Sequence, residues 1–287
     1  MGFLTIFLSA FLGVLGSVGF FVDRFAENAI RQRFQRIEQL QVRIDNAPNY
    51  QLIGGKVQRV RVAGRGFWLT PEVRIAVLEL DTDPISANIQ ALRGGRVSPT
   101  ALRQPAKAAF RLVLTEEDVN KVLRSPKVSQ QLQRLSASFL GNMGGQQLEA
   151  YEIINPRIEF LPENRLRFQV ELQQKQGTGT VQTNSEQKLA IIAESGLRIV
   201  NGHQLELISP AVSINENTIP EFLIGALAQN FIDELDLKKL QKSGITARIL
   251  DFEVNQDNLE IAAFVQVEPL AQPPAQPEAQ PPAQPKE

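Results

Sequence analysis

Cysteine is absent from this chain, and histidine and tryptophan occur once each in 287 residues. Without cysteine there can be no disulfide, thiolate zinc site, iron–sulfur cluster or cysteine nucleophile. A lone imidazole, His203, is too little for most hydrolytic triads or histidine-built metal sites. An excess of charge is missing too, since 30 Lys and Arg stand against 31 Asp and Glu, for a formal net charge of −1. That balance gives no electrostatic reason to expect a nucleic-acid partner.

Phosphate-cradling loops are also lacking. Gly64-Arg65-Gly66 runs into Phe67-Trp68-Leu69 and not into a helix, so it makes a poor phosphate loop. Asp81-Thr82-Asp83 has the spacing of a carboxylate pair that could hold a divalent metal on a diphosphate. It stands at a strand end before Pro84, however, where turn chemistry accounts for both acids. His203 follows Asn201-Gly202 in a turn, with no carboxylate pattern to mark it as a base. Trp68 reads as a core side chain, with a membrane-interface aromatic as the alternative. The expectation is a protein without catalytic residues, metal or cofactor.

What is present begins with a run free of charge. Residues 1–22 contain no Asp, Glu, Lys or Arg. As a helix, residues 3–22 would span about 30 Å, close to the hydrocarbon thickness of a bilayer. A cleaved signal peptide is the rival reading, but a basic n-region is missing and Ser17-Val18-Gly19 is a poor cleavage site. Residues 1–22 are therefore read as a transmembrane anchor. Residues 23–40 follow as a predicted amphipathic helix, with Ala26, Ile30, Phe34, Ile37 and Leu40 on one stripe. Arg31, Arg33 and Arg36 on its polar side are candidates for contact with lipid headgroups. By the positive-inside rule the same basic flank would hold the body in the cytoplasm.

From residue 41 onward, strands dominate. VRIAVLEL at 73–80 is apolar on both faces and is expected to lie centrally. AFRLVLT leads into LTEEDVNKVL, where Thr115 and Asp118 form a capping-box signal and Val119, Val122 and Leu123 supply the inward stripe. RLRFQVELQQ, residues 165–174, alternates strictly, and Pro162-Glu163-Asn164 joins it to RIEFL as a hairpin. A helix is predicted over 221–235, and a last hairpin turns around Asn255-Gln256-Asp257-Asn258. The final residues, 268–287, are low-complexity Pro, Gln and Ala and read as a disordered tail.

Many amphipathic strands and few helices predict an α+β protein: a long, curved, mostly antiparallel sheet wrapped around a few helices. The chain divides into the anchor, one domain over 23–267 and the tail. A roll of this kind leaves an apolar groove, and beside a bilayer such a groove suits lipid. The candidate lining residues are Phe110, Leu112, Ile158, Phe160, Leu166, Phe168, Val170, Leu172, Leu189 and Ile191.

Residues 50–95, YQLIGGKVQRVRVAGRGFWLTPEVRIAVLELDTDPISANIQALRGG, and then AAFRLVLTEEDVNKVL resemble the LmeA-like family of bacterial phospholipid-binding proteins. The likeness rests on the helix running into a strand, the turn from Leu52 to Lys56 with Gly55, and the apolar positions near Val73, Ile75 and Leu78. The helix start at Leu114–Asn120 completes it. The resemblance implies a tubular fold that holds phospholipid in an apolar groove, at work in the bacterial cell envelope, and it brings no catalytic residues. It also favours a body outside the cytoplasm, against the arginine flank. The expected partners are thus phospholipid and membrane, and the sequence names no protein partner. The alternative is a membrane-tethered adaptor whose helices, 221–235 in particular, fill the apolar face themselves.

Overall fold

Alternation in the sequence becomes strand along most of the chain. The computed structural model describes residues 27–47 apart from 29 and 33, then 51, 54–88, 101–126, 128–130, 132, 151–174, 188–220, 224 and 236–269. The strands are β1 (Arg36–Asp45), β2 (Lys56–Val57), β3 (Arg59–Trp68), β4 (Arg74–Thr82), β5 (Ile85–Ser86) and β6 (Ala106–Thr115). After helix α1 (Glu116–Leu123) come β7 (Tyr151–Leu161), β8 (Arg165–Gln174), β9 (Leu189–Val200), β10 (Gln204–Ile214) and β11 (Asn217–Thr218). A 3-10 turn, η1 (Leu237–Ser243), precedes β12 (Ile245–Val254) and β13 (Asn258–Val267).

The expected single long sheet is two large antiparallel sheets and a two-stranded ribbon of β2 and β5. One has six strands in the order β1-β3-β4-β6-β13-β12, and the other has five in the order β11-β10-β9-β8-β7. VRIAVLEL does lie centrally, as β4 between β3 and β6. Within the six-stranded sheet, Val60, Val62, Phe67, Ile75, Leu80, Leu112 and Val265 close a core onto which Ile30 and Phe34 pack. The rings of Phe34 and Phe67 meet edge to face at 5.2 Å.

The amphipathic helix predicted over 23–40 is corrected in its second half. Helical backbone is found among residues 27–31, whereas Arg36–Asp45 is strand β1. Ile37 and Leu40 are three apart, which imitates a helical stripe. In β1 they sit opposite Phe67 and Gly64 of β3. A Cβ on Gly64 would overlap both the Gln39 carbonyl oxygen and the Phe67 ring, so glycine lets the ring lie over the backbone there. Gly66, at φ +63°, takes the left-handed conformation beside Glu38.

The start of α1 is as predicted: Thr115 Oγ1 accepts the Asp118 N–H at 3.1 Å. Its buried side is not. Asp118 and Asn120 are the buried residues of α1, while Val119, Val122 and Leu123 are only half-buried. Asp118 turns away from the cap to pair with Arg74 at 3.0 Å. Arg74 and Lys121 flank the Trp68 ring at 5.7 and 5.9 Å. Trp68 is thus a half-buried ring between two cations, and its Nε1 is buried without a hydrogen-bond partner.

Polar side chains join the two sheets. The Asn120 amide donates to the Ile158 carbonyl at 2.8 Å and accepts the Ile158 N–H at 2.9 Å, while Glu116 accepts the Phe160 N–H at 3.0 Å. These two α1 residues stand in for a neighbouring strand on β7, which is an edge of its sheet. At the hairpin tips, Asn164 Oδ1 accepts the Val254 N–H at 2.6 Å and the Gly202 carbonyl accepts the Ile249 N–H at 2.7 Å. Both tips carry the positive φ angles of mirror-image turns, at Glu163 and Asn164 and at Asn201 and Gly202.

His203 belongs to the same joint. Its Nδ1 lies 3.0 Å from Asp236, which caps η1 by accepting the Lys238 N–H at 2.8 Å. Burial pushes the Asp236 carboxyl up, but the Lys238 N–H and the His203 ring outweigh it and hold the group below its usual value.

Residues 1–22, Arg33 and the tail from residue 270 lie outside the described residues, as does the helix predicted over 221–235 apart from the buried helical residue Ile224. Among the described residues no helix is long and apolar enough to cross a membrane.

Candidate apolar ligand face

Cross-strand partners point to the same side of a sheet, so the register assigns each face. On one side of the five-stranded sheet, Ile153, Leu172 and Leu189 form a row, and Val170, Ile191 and Ile214 form the next. Ile158, Phe168, Ala193 and Val212 follow, and then Phe160, Leu166 and Ser195. Leu197 with Leu207, and Ile199 with Leu205, carry the surface on to the β9–β10 turn. A single apolar face crosses four long strands.

The opposite side is a charge lattice. Glu194 bridges Arg165 at 2.7 Å and Arg167 at 3.0 Å, and Arg167 also pairs with Glu159 at 3.0 Å. Arg198 pairs with Glu206 farther along. The Arg165 guanidinium, with Arg167 behind it, holds the Glu194 carboxyl below its usual range. Arg111 does the same for Glu260 on the outer side of the six-stranded sheet. Water therefore lies on the charged side, and the apolar side must be covered by something else.

Burial on the apolar face is graded. Phe160, Val170, Leu172 and Leu197 are buried, whereas Ile158, Leu166, Phe168, Leu189 and Ile191 are half-buried. The face is partly closed by the chain and partly accessible. An acyl chain laid along it gains about 0.8 kcal/mol per buried methylene. About fifteen methylenes would give roughly 12 kcal/mol, before the cost of immobilising the chain.

Eight of the ten residues predicted as groove lining, Ile158 to Ile191, meet on this one face. Phe110 and Leu112 do not join them. They lie on β6, where Leu112 is in the closed core of the six-stranded sheet and Phe110 packs against it. Of the headgroup candidates, Arg31 pairs with Glu27 at 2.8 Å and Arg36 opens β1 exposed to solvent. Ile153, Val212, Ile214 and the Leu197–Leu207 pair escaped the sequence reading. Their alternation is broken by irregular backbone: Asn155 and Ser209 have positive φ, and the register shifts between Ile208 and Ala211.

Asp81 is clamped by Arg59 through two bonds of 2.6 Å, and the Asp83 N–H donates to the Lys107 carbonyl. Among the described residues no group of three or more His, Asp or Glu is arranged to hold a metal ion.

The lowered carboxyls predict a pH dependence. A carboxyl whose folded pKa lies below its unfolded value stabilises the fold fully above that unfolded value, and the contribution is lost as pH falls through the folded value. For Glu194 and Glu260 the window therefore opens below about 4.5. Circular dichroism from pH 7 to pH 2.5 should show the acid transition. Glu194→Gln with Glu260→Gln should lower stability at pH 7 and flatten its pH dependence below 4.5. An unchanged profile would contradict the assignment.

Two antiparallel sheets, one closed over its own core and the other with a half-covered apolar face, define a β-rich protein suited to an elongated apolar ligand. Comparison with known proteins makes the class specific. The sequence model of the LmeA-like phospholipid-binding family matches residues 18–264, and the chain belongs to that family. No curated protein matches the chain. A crystal structure of a lipopolysaccharide binding protein aligns over 82% of this chain and 86% of its own at 8% identity, with a TM-score of 0.18. At that score the alignment carries no argument.

Proposed function

We propose that this chain is a non-enzymatic phospholipid-binding protein of the bacterial cell envelope, tethered by its N-terminal residues. It holds acyl chains on the apolar face of the five-stranded sheet. The observation that carries this reading is that face itself, continuous across β7 to β10, half-buried at Phe168 and backed by a paired charge lattice. Membership of a phospholipid-binding family supports the same reading. Arg31 and Arg36, beside the tether, are the residues proposed to meet headgroups.

The test is native mass spectrometry with lipid extraction on residues 27–269, a segment that retains Ile30 and Phe34 of the core. Phospholipid co-purifying at near one molecule per chain is the expected result. A clean apo mass, with no uptake from added vesicles, would sink the carrier reading and leave an adaptor whose apolar face is closed by its own chain.

A further inference from the structure

Nine of the twelve arginines in the described strands form salt bridges, and among the described residues Arg36, Arg65 and Arg248 do not. Residues 236–250, DLKKLQKSGITARIL, contain four basic residues and one acid in a chain of net charge −1. The acid, Asp236, is bound to His203 and the Lys238 backbone. Lys242 and Arg248 make no salt bridge among the described residues, and Lys238 feels Asp236 only at longer range. Beside them Leu250 is 65% exposed, more than any other large apolar side chain described.

Lys238, Arg248 and Leu250 lie close to one turn, and Lys242 stands at the far end of η1. The Leu237 N–H donates to the His203 carbonyl at 3.0 Å, which sets the start of η1 against the β9–β10 turn. The Ile249 N–H donates to the Gly202 carbonyl of the same turn, and a Cβ on Gly202 would touch the Arg248 side chain at 3.8 Å. Lys238 and Arg248 are therefore both next to residues bonded to this turn, with Leu250 two positions beyond Arg248 along β12. Ile249 and Asp251 are both paired with β13 at a register shift, and Leu250 is the extra residue that the bulge leaves out of the ladder. Asp251 is exposed beside Leu250 and Glu253 lies two residues further on, while Asp233 and Glu234 precede the patch in sequence, outside the described residues.

We propose that this patch docks the protein onto an anionic lipid surface, with Leu250 entering the interface and Lys238, Lys242 and Arg248 meeting the phosphates. Unpaired cations around an exposed leucine complement a negatively charged bilayer, where each basic residue is worth about fivefold in partitioning. The patch lies at the β9–β10 turn, where the apolar face ends, and its docking does not depend on what that face carries.

The absence of cysteine makes the test clean. Leu250→Cys in the full chain, carrying an environment-sensitive fluorophore, is mixed with vesicles of phosphatidylcholine alone or with added phosphatidylglycerol. Ala109→Cys, on an exposed position of β6, is the reference site. The expected result is a blue shift at position 250 with phosphatidylglycerol, reversed by salt and lost in Lys238→Glu/Lys242→Glu/Arg248→Glu protein that keeps its circular dichroism spectrum. An unshifted label in anionic vesicles would overturn the proposal, as would an equal shift in both vesicle types that survives charge reversal. A shift that grows with protein concentration in the absence of vesicles would assign the patch to self-association and overturn it too.

Discussion

Asn120→Leu is expected to destabilise the protein by about 2–4 kcal/mol, although it exchanges a buried polar side chain for an apolar one of similar size. The side chain of Asn120 bonds both the N–H and the carbonyl of Ile158 across the joint. Leucine would strand both groups, and an unpaired buried backbone group costs about 1–3 kcal/mol. The apolar gain is small by comparison, because the site is shaped for a planar amide. Denaturant unfolding gives the magnitude, and amide hydrogen exchange gives the location. Loss of protection should begin at Ile158 and Phe160 and spread through β7 to β10, while β3, β4 and β6 keep theirs. Glu117→Gln, at the exposed position of the same helix, should stay within about 1 kcal/mol of the parent, the range of a surface ion pair. A loss below about 0.5 kcal/mol for Asn120→Leu would mean that Glu116 and the hairpin tips suffice to hold the sheets together.

That joint shows where sequence reasoning ends. Leu166, Phe168, Val170 and Leu172 betray their common face because alternation at period two has one physical cause, the pleat of a strand. Thr115 betrays the helix start because an exposed N-terminus needs an acceptor. Asn120 gives no such signal. An asparagine in the middle of a helix looks like a solvated residue until a strand 38 positions later presents its backbone to it. The β1 error has the same origin at shorter range: the spacing of Ile37 and Leu40 is ambiguous by itself, and the answer lies in glycines of a strand not yet paired. Phe110 and Leu112 alternate as well as Phe168 does. Which of two sheets a strand joins is decided by pairing, and alternation does not encode it.

Phe168→Asp should abolish phospholipid co-purification, while Gln169→Asp, one residue on, should leave it intact. The two positions share a strand and its immediate neighbours but point to opposite faces. Phe168 sits in the row with Ile158, Ala193 and Val212, half-buried on the apolar face. Gln169 pairs with Arg157 and Ile192 on the charged side. A carboxylate at 168 would have to be desolvated under an acyl chain, a cost of several kcal/mol that a reversible complex cannot absorb. At 169 it would join a lattice already built of carboxylates and guanidinium groups. Because Phe168 keeps some exposure, the carboxylate can reach water in the empty protein, and the variant should fold. Circular dichroism and the denaturation midpoint check that point, and lipid extraction reads the ligand. Equal loss in both variants would trace the effect to damage of β8. Equal retention would place the lipid elsewhere and leave this face to the protein's own core.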